Sequence, residues 1–187
     1  MAKQYGLVFD LLRCIGCHTC SIACKFENMI DHGSWIVIRT IGGKHMDTPA
    51  GKYPNLSMHY RPEMCNHCQD PPCIPACPVN AISKTNKGVV LIDYETCTGC
   101  SQCIDACPYD APRLDKTKGI VTMCTLCSHR LEQGLEPFCV KCCPTNAIHF
   151  GEIDKPQSEI SKLIRRKKAI VRFPEKKTTP SVFYIPQ

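Results

Sequence analysis

Aromatic side chains are scarce in this sequence, at 7% of its 187 residues, and Trp35 is the lone tryptophan. Long apolar runs are missing too: no stretch approaches the roughly 18 residues that a membrane-spanning helix needs. The opening Met-Ala-Lys-Gln-Tyr-Gly carries neither an apolar signal core nor a twin-arginine pair. The chain is therefore expected to be soluble by itself, either cytoplasmic or exported together with a signal-bearing partner. It contains no phosphate-cradling glycine loop, no nucleophilic triad and no pair of catalytic carboxylates. Little is left for catalysis by side chains.

Cysteine is what the sequence has in abundance: 17 residues, and the 43% hydrophobic share counts them. Without them only about a third of the chain is apolar, which is thin for a core. Chains short of core are usually held by disulfides or metals. Sixteen of the cysteines fall into four quartets. Cys97-x2-Cys100-x2-Cys103-x3-Cys107-Pro108 has the tightest spacing, and Cys14, Cys17, Cys20 and Cys24 repeat it. Cys65, Cys68, Cys73 and Cys77 lengthen the second gap; Cys124, Cys127, Cys139 and Cys143 stretch further. Three thiolates spaced by two residues can hold one iron–sulfur cube, while a fourth followed by proline typically ligates a different one. Four quartets suffice for four [4Fe–4S] clusters.

Disulfides fit poorly, because the count is odd, the chain is long and the triplets are badly placed to bridge. Zinc ribbons pair two C-x2-C knuckles across a spacer and have no use for a third cysteine two residues on. With every quartet complete, no iron is left open for substrate. That argues for single-electron transfer rather than chemistry at a cluster. Loss of the metal should unfold much of the chain.

Taken in order, Leu7-Val8-Phe9 reads as a strand leading into the first quartet, and Cys17 to Cys24 as one or two helical turns ending near Asn28. Trp35 to Ile41 is β-branched and bounded by glycines, hence a strand; residues 42–56 read as a loop or linker. Ser57 to Arg61, Gly88 to Ile92 and Gly119 to Met123 are short strands, each leading to the next ligand loop. Cys77-Pro78-Val79-Asn80-Ala81-Ile82 is echoed by Cys143-Pro144-Thr145-Asn146-Ala147-Ile148. A unit of two motifs is thus used twice. Short strands alternating with helical turns around cysteine loops imply a small α+β fold. Asp10 and Asp93 precede ligand loops and are expected to cap turns.

From Lys155 to Gln187 nine basic residues face two acidic ones, so this tail carries the whole net charge of +6. Ser158 is placed to cap a helix with Ile160, Leu163 and Ile164 on one face, and Pro174 and Pro180 favour an extended end. Each oxidised cluster with four thiolates adds about −2, which brings a loaded chain close to neutral. The tail is expected to dock on the body or on a partner, and nothing in it favours nucleic acid.

Phe9-Asp10 with Cys14-Ile15-Gly16-Cys17, then Cys65-Asn66-His67-Cys68-Gln69-Asp70-Pro71-Pro72-Cys73, resembles the four-cluster iron–sulfur subunits of dimethyl-sulfoxide-reductase-type molybdenum or tungsten enzymes. Cys124-x2-Cys127-x-His129-Arg130-Leu131, followed by Gly134, Pro137 and Cys139-Val140, is similar to that family's fourth motif. The resemblance covers about residues 5–150. It implies two ferredoxin-like modules, one nested in the other: an outer one from 1–56 plus 118–154, an inner one from 57–117, and the tail 155–187.

The same resemblance implies the ligand sets. Cys14, Cys17 and Cys20 would share a cluster with Cys143, and Cys124, Cys127 and Cys139 would take Cys24. Cys65, Cys68 and Cys73 would take Cys107, and Cys97, Cys100 and Cys103 would take Cys77. The implied partners are a large catalytic subunit carrying molybdopterin guanine dinucleotide with molybdenum or tungsten, and a membrane anchor linked to quinone or a soluble carrier. A carrier subunit of a hydrogenase or carbon monoxide dehydrogenase is the alternative. Cys142 departs from the pattern and is expected to be a small buried thiol. His67 and His129 are expected to pack or hydrogen-bond within the ligand loops, and Trp35 to serve core or interface.

Overall fold

The computed structural model describes residues 3–187. The elements in chain order begin with β1 (Tyr5–Asp10), α1 (Thr19–Glu27), β2 (Val37–Ile41), β3 (Ala50–Lys52), β4 (Asn55–Ser57) and β5 (His59–Glu63). There follow β6 (Ile82–Lys84), β7 (Val90–Ile92), α2 (Gln102–Asp105), β8 (Arg113–Asp115) and β9 (Ile120–Thr122). Last come α3 (Ser128–Glu132), α4 (Phe138–Lys141), β10 (Ile148–Glu152), α5 (Glu159–Arg166) and β11 (Val182–Ile185). Four two-stranded antiparallel ribbons, β2–β5, β3–β4, β6–β7 and β8–β9, accompany one three-stranded sheet in the order β10-β1-β11. The elements are short, and the cysteine loops run between them. This is an α+β fold.

β1 is the strand on which the sheet depends. It pairs antiparallel with β10, Leu7 opposite Phe150, and parallel with β11, Leu7 opposite Val182. Successive side chains of a strand point to opposite faces. Leu7 and Phe9 accordingly enter the main core beside the buried cysteines, while Val8 enters a smaller cluster with Ile160 and Ile185. All three are at most 1% exposed. That is why the run reads as unbroken apolar rather than alternating.

The tail supplies the second cluster. Ser158 caps α5 as its sequence predicts, accepting the Ser161 amide at 3.2 Å, with Glu159 in the first turn and Arg165 and Arg166 in the last. Those charges suit the helix dipole. Ile160 packs under the helix on Val8, and Phe183 on the following strand joins them.

Two expectations need correction. Residues 42–56 are more than a linker, since β3 and β4 form a hairpin there, with Gly51 at φ 86°. The strand expected from Trp35 begins at Val37, because Trp35 and Ile36 turn inward instead: both are buried, and Trp35 Nε1 donates to Thr122 Oγ1 at 3.2 Å. No helix among the described residues is long and apolar enough to cross a membrane.

Candidate iron–sulfur site

The ligand loops are built by a few backbone devices that recur. At the end of β1 the Asp10 amide donates to the Ala147 carbonyl at 2.7 Å, and the Cys14 amide returns to the Asp10 carbonyl at 3.2 Å. At the end of β7 the Asp93 amide donates to the Ala81 carbonyl at 2.7 Å, and the Cys97 amide to the Asp93 carbonyl at 3.1 Å. Each aspartate also accepts the amide two residues on, Leu12 at 3.1 Å and Glu95 at 3.0 Å, so both cap their turns. The chain then reverses at Gly16 and Gly99, both at φ 68°. Only glycine takes that conformation without strain; at position 99 a Cβ would also strike the Gly119 carbonyl.

The cysteine–proline ends share a second device. Three residues beyond Cys77, Cys107 and Cys143 stand Asn80, Asp110 and Asn146, at φ 54°, 51° and 49°. Asparagine and aspartate tolerate this left-handed conformation better than other side chains do. It turns the next amide back on the sulfur: Ala81 N donates to Cys77 Sγ at 3.2 Å and Ala147 N to Cys143 Sγ at 3.3 Å.

These loops bring cysteines together around small cavities. Cys14, Cys17, Cys20 and Cys143 line one, walled by Ile38, Pro62 and Ile148. Cys65, Cys68, Cys73 and Cys107 line another, with Val90, Pro108 and Tyr109. Cys97, Cys100, Cys103 and Cys77 line a third, with Ile82, Ile92 and Val121. Cys24, Cys124, Cys127 and Cys139 lie close enough to act on one another's charge. Asn28 Nδ2 stands 3.8 Å from Cys24 Sγ and 3.9 Å from Cys127 Sγ. A larger groove between α4, β10 and α5, lined by Val140, His149 and Leu163, contains no cysteine.

Burial dominates the acidity of these thiols. It pushes Cys20 up to about 12, with the sulfurs of Cys14, Cys17 and Cys143 adding to it. Cys24 and Cys73 also reach about 12, again through burial first and then through Cys127 and Cys107 respectively. Cys65, Cys124 and Cys139 are raised well above the ordinary thiol range by the same causes. Thiols raised in this way are protonated when metal-free, and a metal that takes them as thiolates releases protons on binding.

The donor set fits iron–sulfur cubes: sixteen soft sulfurs, apolar walls, and amides aimed at the sulfurs. Among the described residues no three His, Cys, Asp or Glu side chains are grouped to hold a single metal ion, as a zinc knuckle would require. All seventeen cysteines are free of disulfides. Cys142 is half-buried and lines none of the three cavities. His67 is fully enclosed; its Nδ1 accepts the Val90 amide at 3.1 Å, and burial lowers its pKa to about 3. His129 lies at the surface, 2.8 Å from Glu27.

Residues 56–153 are matched by the family model described as a 4Fe-4S dicluster domain, and residues 13–81 by a second model of the same description. The protein belongs to the 4Fe-4S dicluster family. Two dicluster domains and sixteen quartet cysteines account for four [4Fe–4S] clusters. Relatives cover nearly all of the chain. An iron–sulfur subunit provisionally assigned to a dimethyl sulfoxide reductase of Halobacterium salinarum is 42% identical, spanning 97% of this chain and 79% of its own length. A subunit of the tetrathionate reductase of Salmonella typhimurium is 37% identical over 97% of this chain and 72% of its own. A component of the polysulfide reductase of Wolinella succinogenes is 36% identical over 100% and 96%. The dicluster protein is thus an iron–sulfur subunit of the kind found in reductase complexes.

Sequence reasoning missed three residues that touch the site. Asn28 was visible only as a helix end, and Tyr109 only as the residue after Pro108. Thr178 lies far beyond the last quartet, where no spacing rule reaches.

Proposed function

We propose that this chain is the non-catalytic electron-transfer subunit of a molybdenum or tungsten bis-pterin oxidoreductase. It would serve a large catalytic subunit and a quinone-linked membrane anchor or soluble carrier. When bound, iron–sulfur clusters supply one-electron transfer at potentials set by charge, hydrogen bonds and exposure. Everything else falls to the chain: it holds four cubes in one core, excludes water with Ile38, Val90, Val121 and Met123, and aims amides at ligand sulfurs. The observation that carries this reading is the meeting of each triplet with a cysteine from a different quartet.

The ligand sets are proposed accordingly: Cys14, Cys17, Cys20 with Cys143; Cys124, Cys127, Cys139 with Cys24; Cys65, Cys68, Cys73 with Cys107; Cys97, Cys100, Cys103 with Cys77. They correspond to two nested modules, 1–56 plus 118–154 around 57–117, with residues 155–187 docking on both, β11 beside β1 and Thr178 to Ser181 on the Cys68 loop. Exposed apolar side chains on and near the first loop, Leu12, Ile15, Ile22 and Phe26, support a role inside a complex. The relatives are named as subunits of reductases and of a sulfite dehydrogenase, which favours this reading over a hydrogenase carrier.

The complex, purified anaerobically through this chain, should hold about 16 irons per chain, four for each quartet, with molybdenum or tungsten on a larger subunit. Cys143→Ser should lower the iron to about 12, and Cys142→Ser should leave it unchanged. Full iron in Cys143→Ser would sink the ligand assignment. Iron without either heavy metal would move the reading to the hydrogenase class.

A further inference from the structure

The C-terminal end of α1 lies against α3, the short helix that follows Cys127. Glu27 fixes it there, 2.8 Å from His129 Nε2 and 3.4 Å from the Arg130 guanidinium. Asn28, the next residue, closes α1. Its backbone amide donates to the Cys24 carbonyl at 3.1 Å, and its side-chain Nδ2 donates to the same oxygen at 2.9 Å. A carbonyl oxygen can only accept, so this contact settles which end of the side-chain amide is nitrogen. Thr125 Oγ1 donates to the other end, Oδ1, at 3.4 Å. The amide is held from both ends.

Nδ2 has a second N–H to place. Cys24 Sγ lies 3.8 Å from it and Cys127 Sγ 3.9 Å, near-equal distances at which two acceptors share one donor. Other ligand sulfurs are served differently. Cys77, Cys97, Cys124 and Cys143 each accept a single backbone amide, at 3.2, 3.5, 3.3 and 3.3 Å. Among the described residues no other side chain bonds two ligand sulfurs. A backbone amide persists under substitution, whereas this donor belongs to one replaceable side chain.

We propose that Asn28, oriented by Thr125, raises the reduction potential of the cluster held by Cys24, Cys124, Cys127 and Cys139. The proposal rests on the ligand set given above. Ligand thiolates carry no proton and accept strongly. Reduction by one electron adds negative charge, and a donor shared by two of the four sulfurs stabilises the more negative state. No covalent bond changes and no proton is transferred. One side chain thereby sets this cluster apart from the other three.

The test is a redox titration of the intact complex followed by electron paramagnetic resonance, with iron counted in every sample. Asn28→Leu keeps the branched shape and removes the donor. It should retain full iron and move one of four midpoints to lower potential, the same midpoint that Cys24→Ser shifts or abolishes. Thr125→Val, which frees the amide to turn, should move that midpoint less, and Thr125→Ser should leave it in place. Four unmoved midpoints over full iron would overturn the role of Asn28 alone, as would a shift confined to a midpoint that Cys24→Ser leaves untouched. Should Asn28→Leu lose iron, Thr125→Val decides: a lowered midpoint supports the proposal, and an unmoved one or a second loss of iron overturns it. Wild-type iron far below about 16 per chain would sink the ligand assignment and this proposal with it.

Discussion

Two regions of this molecule use the same ligand loop in different settings. In one, β1 delivers Cys14, Cys17 and Cys20, and the fourth sulfur, Cys143, arrives from the far end of the cysteine-bearing segment. In the other, β7 delivers Cys97, Cys100 and Cys103, and Cys77 comes from just upstream. The turns agree bond for bond: aspartate caps, glycine at φ 68°, a left-handed asparagine, and an alanine amide on the sulfur. What differs is the support. β7 has only β6 beside it, whereas β1 lies between β10 and β11 and is buried on both faces. Local geometry is therefore a property of the motif, and long-range closure is completed by the tail.

The harshest way to break the comparison is to remove the iron. Most of the quartet sulfurs are buried or half-buried, and burial holds Cys20, Cys65 and Cys139 among them well above the ordinary thiol pKa, so the metal-free core holds protonated thiols in place of a cross-linking cluster. With about a third of the chain apolar apart from cysteine, little else can hold it. Anaerobic chelation should abolish amide protection in both regions together. Surviving protection along β10-β1-β11 would show that the outer sheet folds without metal, and the regions would then differ in kind.

A smaller effect should separate them. Tyr184 of β11 is 2% exposed, stacks on Phe9 at 5.6 Å and donates to the Pro62 carbonyl at 2.9 Å. No strand plays this part beside β7. Tyr184→Ala should destabilise the outer sheet by about 3–5 kcal/mol, the range for truncating a buried aromatic. Hydrogen exchange should accelerate at Leu7, Val8 and Phe9 while β6–β7 keeps its protection. Equal acceleration in both ribbons would mean that they open as one unit.

The quartets and the echoes at Cys77 and Cys143 were legible because a cubane imposes spacing on sequence. The caps at Asp10 and Asp93 were legible for the same local reason. β1 was visible as an apolar run, but its two-sided burial depends on α5 and β11, which sequence presents only as a basic tail. The hairpin β3–β4 was hidden because Gly51 and Pro54 read as breakers, whereas Pro54 sits in its tight turn and Gly51 pairs with Leu56 inside β3. Thr178 was invisible altogether: its contact with the Cys68 loop follows from where the tail docks, and no threonine spacing announces it.

The smallest expected effect tests whether the shared turn is worth the same in both places. Asn80 and Asn146 hold φ 54° and 49°, a conformation that disfavours a β-carbon without a compensating side-chain amide. Alanine at either position should cost roughly 1 kcal/mol, read as a fall of about 2–4 °C in the anaerobic melting temperature of a chain this size. Glycine should be close to neutral, because it takes the left-handed region freely. Equal losses at 80 and 146 would mean that the turn acts locally, as its repeated geometry suggests. A larger loss at 146 has a specific reading. Ala81 and Ala147 alike donate to a ligand sulfur, accept from an aspartate and precede a strand, but β10 pairs with β1 in the three-stranded sheet whereas β6 pairs with β7 alone. At 146 the turn also sets the register of the strand on which β1 rests, and the motif would owe part of its stability to the sheet around it.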